Sequence, residues 1–121
     1  VLAVADSLAP RLTKDKSLIN EMRAMIAENP AQGLIASQQG MAQRPDCEEL
    51  LTKVTVPSLV VAGVQDQIIQ LKDAKAMADA LPGGEFLSIQ DAGHLPMLEK
   101  PQALGQALLN LSRRVETPEH E

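Results

Sequence analysis

Two side chains of this sequence could act together as an acid and a base. His94 lies on a predicted tight turn, residues 91–96, directly after an apolar alternating run. Asp66 also follows an apolar run of strand length, earlier in the chain. An aspartate that hydrogen-bonds to one imidazole nitrogen fixes the tautomer, which leaves the other nitrogen free to take a proton from a nucleophile. The pair is therefore predicted to act as an acid and a base, with a nucleophile as the third member.

The elements that must position this pair form a strand–helix–strand pattern. Ser58–Gly63 is a continuous apolar run, typical of a strand that is covered on both faces in a parallel sheet. Residues 73–81 have helical spacing, and residues 86–89 form a second predicted strand. This is the length of a βαβ unit, whose strands are parallel. Because ligand crevices lie at the carboxyl ends of parallel strands, Asp66 and His94 are expected at the same edge.

Residues 1–45 are predicted to form a loosely jointed helical segment. Its first helix is expected to end or bend at Pro10, which cannot donate a backbone hydrogen bond. Ser17 is the predicted cap of the second helix, and Pro30 marks its end. This segment contains no side chain to which we assign chemistry.

Helices are also predicted on both sides of the strand–helix–strand unit. Asp46 and Glu49 have the spacing of a capping box, which predicts a short helix after them. Pro101 is well placed as the first residue of a last helix. The apolar stripe of that helix comprises Leu104, Leu108 and Leu111.

Composition and charge disfavour several classes of function. The chain has 121 residues, which suits one domain, and its net charge of -5 disfavours a nucleic-acid surface. No apolar run reaches the roughly 18 residues of a membrane helix. From the charge and from the lack of such a run, neither a nucleic acid nor a membrane is an expected partner. The single cysteine, Cys47, cannot form an internal disulfide and fits a reducing, cytoplasmic location. One Phe and no Trp or Tyr is a low aromatic content for a self-sufficient core, which suggests an incomplete domain.

Two stretches of the sequence resemble the C-terminal part of the α/β-hydrolase family. They are VPSLVVAGVQDQII, residues 56–69, and AGHLPMLEKP, residues 92–101. The resemblance covers about residues 42–111, and residues 1–41 resemble the end of the helical cap of small-ester and enol-lactone hydrolases. It implies an α/β fold class, in which this chain is a C-terminal fragment of the α/β-hydrolase fold with one parallel βαβ unit and flanking helices.

The resemblance also implies roles for single side chains. Asp66 matches the family's triad acid, and His94 matches its general base. No cofactor and no metal is implied, and the implied substrate is a small-molecule ester or lactone. Haloperoxidases without a cofactor, dehalogenases and carbon–carbon bond hydrolases share this C-terminal pattern, so the substrate stays open. Two further acids near the histidine, Asp91 and Glu99, are expected to be local turn or surface acids.

The sequence contains no nucleophile of the family's kind. The family carries it before the acid and the histidine on a G-x-S-x-G elbow, and this motif is absent. Ser7, Ser17 and Ser37 precede Asp66, but none is expected on a strand-to-helix turn flanked by glycines. Cys47 is a poor substitute, because it is expected at the start of a short helix. We therefore expect the nucleophile on an N-terminal segment or a separate chain, and no acyl-transfer activity from this chain alone.

Three parts of the chain and two functions follow from these patterns. Residues 1–45 are predicted to be the end of a cap, residues 46–114 the C-terminal part of the core, and residues 115–121, with His120, a polar tail. Since the chain begins at Val1, we expect a processed product, a chosen boundary or a fragment of a longer chain.

The first of two predicted functions is that of a hydrolase part that needs an N-terminal half. The second is a non-catalytic remnant or interaction domain that self-associates through open sheet edges.

Overall fold

The computed structural model of the chain describes residues 1–116, which form seven helices and two strands. In chain order these are α1 (Leu2–Leu12), α2 (Lys16–Ala27), α3 (Ala31–Gln43), α4 (Glu48–Leu51), β1 (Ser58–Gly63), α5 (Leu71–Ala80), β2 (Gly84–Ile89), α6 (Pro96–Glu99) and α7 (Pro101–Glu116). Within this range no helix combines the length and the apolar character needed to cross a membrane.

The two strands form a parallel pair that is joined by α5. They are in register along their whole length, so that Gly63 at the end of β1 lies opposite Ile89 at the end of β2. Helix α5 packs against both strands, and its buried face carries Ala74 and Ala78. This arrangement confirms the predicted α/β class with one parallel βαβ unit and flanking helices. The carboxyl ends of both strands meet at one edge, where the loops that follow them begin.

The interior of the described chain is built from small side chains. Its buried apolar residues are Ala5, Ala9, Ala62, Ala74, Ala78, Ile89 and Ala92. Larger apolar side chains, such as Val56 and Ile69, keep a substantial part of their surface exposed. Apolar surface therefore remains available for packing against another segment or another chain.

The helices α1 and α2 pack against each other. An end of α1 at Pro10 and a cap of α2 at Ser17 were both predicted, and both are wrong. Helix α1 continues through Pro10 to Leu12, since the φ angle of proline suits a helix even though Pro10 cannot donate a backbone hydrogen bond to the preceding turn. The cap of α2 is Asp15 rather than Ser17, since an Asp15 side-chain oxygen accepts hydrogen bonds from the backbone amides of Ser17 (3.0 Å) and Leu18 (3.4 Å). Ser17 lies in the first turn of the helix, where its hydroxyl also donates to Asp15.

The predicted capping box before α4 is not formed, although the short helix is present. Its N-cap residue is Cys47, which makes no side-chain cap hydrogen bond. Asp46 Oδ1 instead accepts a hydrogen bond from the amide of Glu48 at 2.9 Å. The aspartate therefore forms a local turn one residue before the N-cap, and Glu49 has no cap to bond back to.

Helix α7 begins at Pro101 as predicted, but its inward face differs from the predicted stripe. Leu108 is 52% exposed, and the half-buried positions are Leu104, Ala107, Leu111 and Arg114. At 100° per residue Leu108 lies at the margin of this face, whereas Ala107 and Leu111 lie near its centre. Arg114 Nη2 donates to the carbonyl of Gly83 at 3.4 Å, which ties the end of α7 to the start of β2.

Helix α7 extends through Glu116, so it includes the first two residues of the predicted polar tail. His120, which was assigned to that tail, lies outside the described residues.

Candidate active site

Asp66 lies in the loop that leaves β1 and is oriented by the backbone that follows it. Its Oδ1 atom accepts hydrogen bonds from the amides of Ile68 (2.8 Å) and Ile69 (3.0 Å). The side chain is only 8% exposed. With one carboxylate oxygen committed to the loop, the other oxygen, Oδ2, is presented in a fixed direction.

His94 lies in the turn that leaves β2, next to Asp66. Its Nδ1 atom is 3.0 Å from Asp66 Oδ2, and its side chain is 34% exposed. The turn begins with Asp91, whose φ angle of 58° is in the left-handed region that aspartate tolerates better than most residues. The structure thus brings the two predicted side chains together at the carboxyl edge of the sheet. Asp91 is the exposed turn acid that was expected.

The environment of Asp66 favours its charged form. Burial raises the pKa of this carboxyl group, but the hydrogen bond with His94, the amides of Ile69 and Ile68 and the charge of the imidazole together lower it below the usual value. An ionised Asp66 can only accept a hydrogen bond. Nδ1 of His94 must therefore carry the proton between them, which leaves Nε2 of a neutral ring as its basic nitrogen.

The close approach of the two loops depends on Gly63, the last residue of β1. A Cβ atom at this position would overlap the backbone carbonyl oxygens of Gly93 and Ala92. The same loops are joined by a hydrogen bond from the Gln65 amide to the Ala92 carbonyl at 2.8 Å. Only glycine leaves room for the backbone of the His94 turn to lie against the end of β1.

The His94 turn is also held by groups from α1 and α6. The amide of His94 donates to the carbonyl of Leu12 at 2.8 Å. Glu99 Oε2 accepts from the amides of Gly93 and Leu95, and Glu99 Oε1 accepts from the hydroxyl of Thr13 at 2.6 Å. Glu99 is therefore a turn acid, one of the two predicted alternatives, and not a free surface acid.

Thr13 was not predicted from the sequence to take part in holding the His94 turn. Thr13 is 2% exposed, yet it lies in the polar run Thr13-Lys14-Asp15-Lys16 between two helices. In such a position a threonine is usually interpreted as a helix cap or a solvated linker residue. No local pattern indicated that it would meet a carboxylate far along the chain.

The candidate nucleophiles lie on other elements. Ser7, Ser17 and Ser37 belong to α1, α2 and α3, and Cys47 is the exposed N-cap of α4. In residues 1–116, no serine, threonine or cysteine side chain forms a hydrogen bond with the ring of His94. The same range contains no group of three or more His, Cys, Asp or Glu residues that could hold a metal ion.

A cavity of about 370 Å³ adjoins the Asp66–His94 pair. Besides these two residues, its lining includes Val60, Val61, Ala62, Ile69, Met77, Pro96, Met97 and Leu104. It is thus mainly apolar, with an acid and a base at its wall. A second cavity, of about 440 Å³, lies between α4 and α5 and includes neither Asp66 nor His94. The first cavity is the one placed for chemistry.

Comparison with known proteins relates this chain to one fold family. The family profile described as alpha/beta hydrolase fold matches residues 5–101. Among solved structures, a thermophilic esterase from Thermogutta terrifontis superposes with a TM-score of 0.87 and 37% sequence identity, over 94% of this chain and 44% of the esterase.

Curated proteins give the same relationship at lower identity. 3-Oxoadipate enol-lactonase 1 of Acinetobacter baylyi is 28% identical over 89 residues, which is 74% of this chain and 33% of the lactonase. BpoC of Mycobacterium tuberculosis, named as a non-heme bromoperoxidase, is 28% identical over 110 residues, which is 86% of this chain and 40% of that protein. The chain spans about two-fifths or less of the length of these two relatives. By the profile match, which covers most of its residues, the chain belongs to the α/β-hydrolase fold family.

Proposed function

We propose that this chain supplies the acid Asp66 and the base His94 of a hydrolase that cleaves small esters or lactones. The nucleophilic serine and the oxyanion donors come from an N-terminal segment or a separate chain. The observation that carries the proposal is the 3.0 Å contact between His94 Nδ1 and Asp66 Oδ2 beside an apolar cavity. A similar esterase and a similar enol-lactonase support the substrate class. The exposed, free Cys47 supports a cytoplasmic location.

The proposed reaction uses the two nitrogens of His94 for different tasks. Nδ1 keeps its proton in the hydrogen bond to Asp66, and Nε2 takes the serine proton as the serine oxygen attacks the ester carbonyl. The imidazolium that results is stabilised by the ionised Asp66. It returns the proton to the leaving alkoxide when the carbon–oxygen bond breaks, so that an acyl-serine and an alcohol remain.

The second half of the reaction repeats these proton transfers with water. Nε2 takes a proton from water as the water oxygen attacks the acyl-serine. Nε2 then gives that proton to the departing serine oxygen. The products are a carboxylic acid and the regenerated serine. The apolar cavity beside His94 would accept the acyl or alkyl part of the substrate.

Hydrolysis of a p-nitrophenyl ester tests this proposal. The chain is assayed together with its upstream segment or with a co-purified chain that carries G-x-S-x-G. We expect His94→Ala to lower kcat by roughly 10³-fold or more, because the general base is lost. His120→Ala is the matched control, since it removes the other histidine of the sequence. Unchanged turnover in His94→Ala would refute the proposal.

A non-catalytic, self-associating role is the second candidate. In the described part of the chain each strand pairs on one side only, and several large apolar side chains are exposed. Open strand edges of this kind pair readily with another chain. Native mass analysis separates the candidates: a pure homodimer of this chain favours self-association, whereas a co-purified chain with the serine elbow rules it out.

A further inference from the structure

Three consecutive backbone amides around His94 donate to groups from outside the turn. The amide of His94 bonds to the carbonyl of Leu12 at 2.8 Å. The amides on either side, those of Gly93 (2.8 Å) and Leu95 (3.1 Å), both bond to Glu99 Oε2. The backbone that carries the imidazole is thus held on both sides by one carboxylate oxygen, and it cannot rotate without breaking one of these hydrogen bonds.

The second oxygen of Glu99 is bound independently. Thr13 Oγ1 donates to Glu99 Oε1 at 2.6 Å and accepts from the amide of Asp15 at 3.2 Å. Because Thr13 is almost completely buried, this charge-assisted hydrogen bond is shielded from competing water. The orientation of the carboxylate is therefore fixed in part by Thr13, which lies between α1 and α2.

Helix capping does not account for this arrangement. In a capping box the third residue of a helix bonds back to the amide of the capping residue. Glu99, the fourth residue of α6, makes a similar bond to the amide of the N-cap Leu95. Capping explains neither the bond from Gly93 nor the bond from Thr13. The bonds from Gly93 and Thr13 come from residues outside the four-residue helix α6 and its N-cap. These two bonds therefore serve something other than the end of α6.

We propose that Glu99, held by Thr13, is a positioning residue that fixes the His94 ring against Asp66. Its carboxylate keeps the backbone on both sides of His94 in place, so that Nδ1 faces Asp66 Oδ2 and Nε2 remains the basic nitrogen. The catalytic meaning of this role rests on the proposed hydrolase function. The orientation of the ring itself is independent of that function and can be measured without turnover.

The expected effect on kcat follows from how small a displacement of the base a proton-transfer site tolerates. A displacement of about 1 Å in a catalytic group can cost about 10²-fold in rate. Glu99→Ala removes all three side-chain hydrogen bonds. Thr13→Val removes one of these three, the bond to Glu99 Oε1, together with the bond that Thr13 accepts from the amide of Asp15. We expect kcat to fall roughly 10- to 100-fold in the first variant and less in the second, with KM within about twofold in both.

The test combines kinetics with nitrogen NMR of the histidine ring in the protein assembled with its nucleophile-bearing part. The variants are Glu99→Ala, Glu99→Gln, Thr13→Val and Thr13→Ser, and the control is Glu49→Ala, an exposed glutamate of α4 whose side chain makes no hydrogen bond in the described residues. Loss of the hydrogen-bonded Nδ1 proton signal of His94 in Glu99→Ala and Thr13→Val supports the proposal. So does its recovery in Thr13→Ser and its partial recovery in Glu99→Gln, which keeps an acceptor oxygen.

Other results would overturn the proposal. If Glu99→Ala lowers only the melting temperature and leaves kcat and the His94 ring signals unchanged, the carboxylate is purely structural. If Glu99→Ala does not fold, the same measurements of kcat and of the His94 ring signals are made on Thr13→Val, Thr13→Ser and Glu99→Gln. Unchanged values in Thr13→Val would likewise refute the proposal. If the wild-type assembly has no esterase activity, the proposed function fails, and unchanged His94 ring signals in the variants would separately refute the positioning role.

Discussion

Asp66 and His94 share a hydrogen bond in which each partner is restrained by separate parts of the chain. Asp66 is oriented by the amides that follow it, and the His94 turn by hydrogen bonds that its amides donate to Leu12 of α1 and Glu99 of α6. Their 3.0 Å contact is therefore built before any substrate arrives. Catalytic groups that are fixed in advance do not need to be ordered during the reaction.

Replacement of the acid tests the tautomer assignment. In Asp66→Asn the amide can donate to Nδ1, which favours the ring tautomer with its proton on Nε2 and removes the base. We expect kcat for p-nitrophenyl ester hydrolysis by the assembled enzyme to fall by about 10⁴-fold, the size of the effect of the same change in a serine-protease triad. Asp73→Asn, on the exposed first turn of α5, should keep full activity. Equal activity of the two variants would contradict the assignment.

The stability of the protein should depend on pH through Asp66. Its native pKa lies below the unfolded value of about 3.9, so its ionised form stabilises the native state at neutral pH. This contribution is lost as the pH falls through the lowered native pKa, and the loss begins below about pH 5. Urea unfolding of wild type and Asp66→Asn at about pH 7 and about pH 3 measures this contribution to the free energy of unfolding. The difference in unfolding free energy between the two proteins should shrink in acid, and a constant difference would show that Asp66 contributes nothing through its charge.

Two glycine substitutions should have opposite effects on stability. Gly63→Ala places a Cβ atom against the backbone of the His94 turn, which cannot move aside as a side chain would. We expect a loss of about 1–3 kcal/mol or more in the free energy of unfolding. Gly105→Ala, in α7 with open space around it, should instead stabilise the helix by roughly 0.5–1 kcal/mol. Chemical unfolding of both variants checks the pair, and a neutral Gly63→Ala would mean that the two loops do not meet as described.

The inward face of α7 can be located by substitution. Leu104 is half-buried and lines the cavity beside His94, whereas Leu108 is 52% exposed. Leu104→Ala should therefore cost about 1–2 kcal/mol, below the range for a fully buried leucine. Leu108→Ala should change stability by less than about 0.5 kcal/mol. The reverse order in melting temperature would support the stripe predicted from the sequence, in which Leu108 faces inward.

The parts of the fold that sequence patterns predicted are those with a local physical cause. The apolar run Ser58–Gly63 is typical of a covered strand, and the helix and strand after it complete a unit whose handedness and parallel pairing follow from chain connectivity. That connectivity alone brings the loops of Asp66 and His94 to one edge. For this reason the pair was predictable without knowledge of any other contact.

The parts that were missed depend on contacts between distant segments or on small angular differences. Thr13 and Glu99 meet because α1 ends beside the β2 loop, and no pattern within either segment encodes that meeting. Leu108 was assigned to the inner face because a stripe of leucines does not distinguish the centre of a face from its margin. Asp15 and Ser17 could each have capped α2, and the carboxylate is the cap because its oxygen lies within reach of two amides.

The hydrogen bond from the amide of His94 to the carbonyl of Leu12 bears on how relatives of this chain could be recombined. The residues from Arg11 to Asp15 reach the Asp66 loop, the His94 turn and Glu99, although they lie within the segment that resembles a cap. A helical segment exchanged to alter substrate choice should therefore be joined after Asp15. A junction placed before Leu12 would replace the backbone and the threonine that hold the base, and the chimera would lose its histidine geometry together with its old specificity.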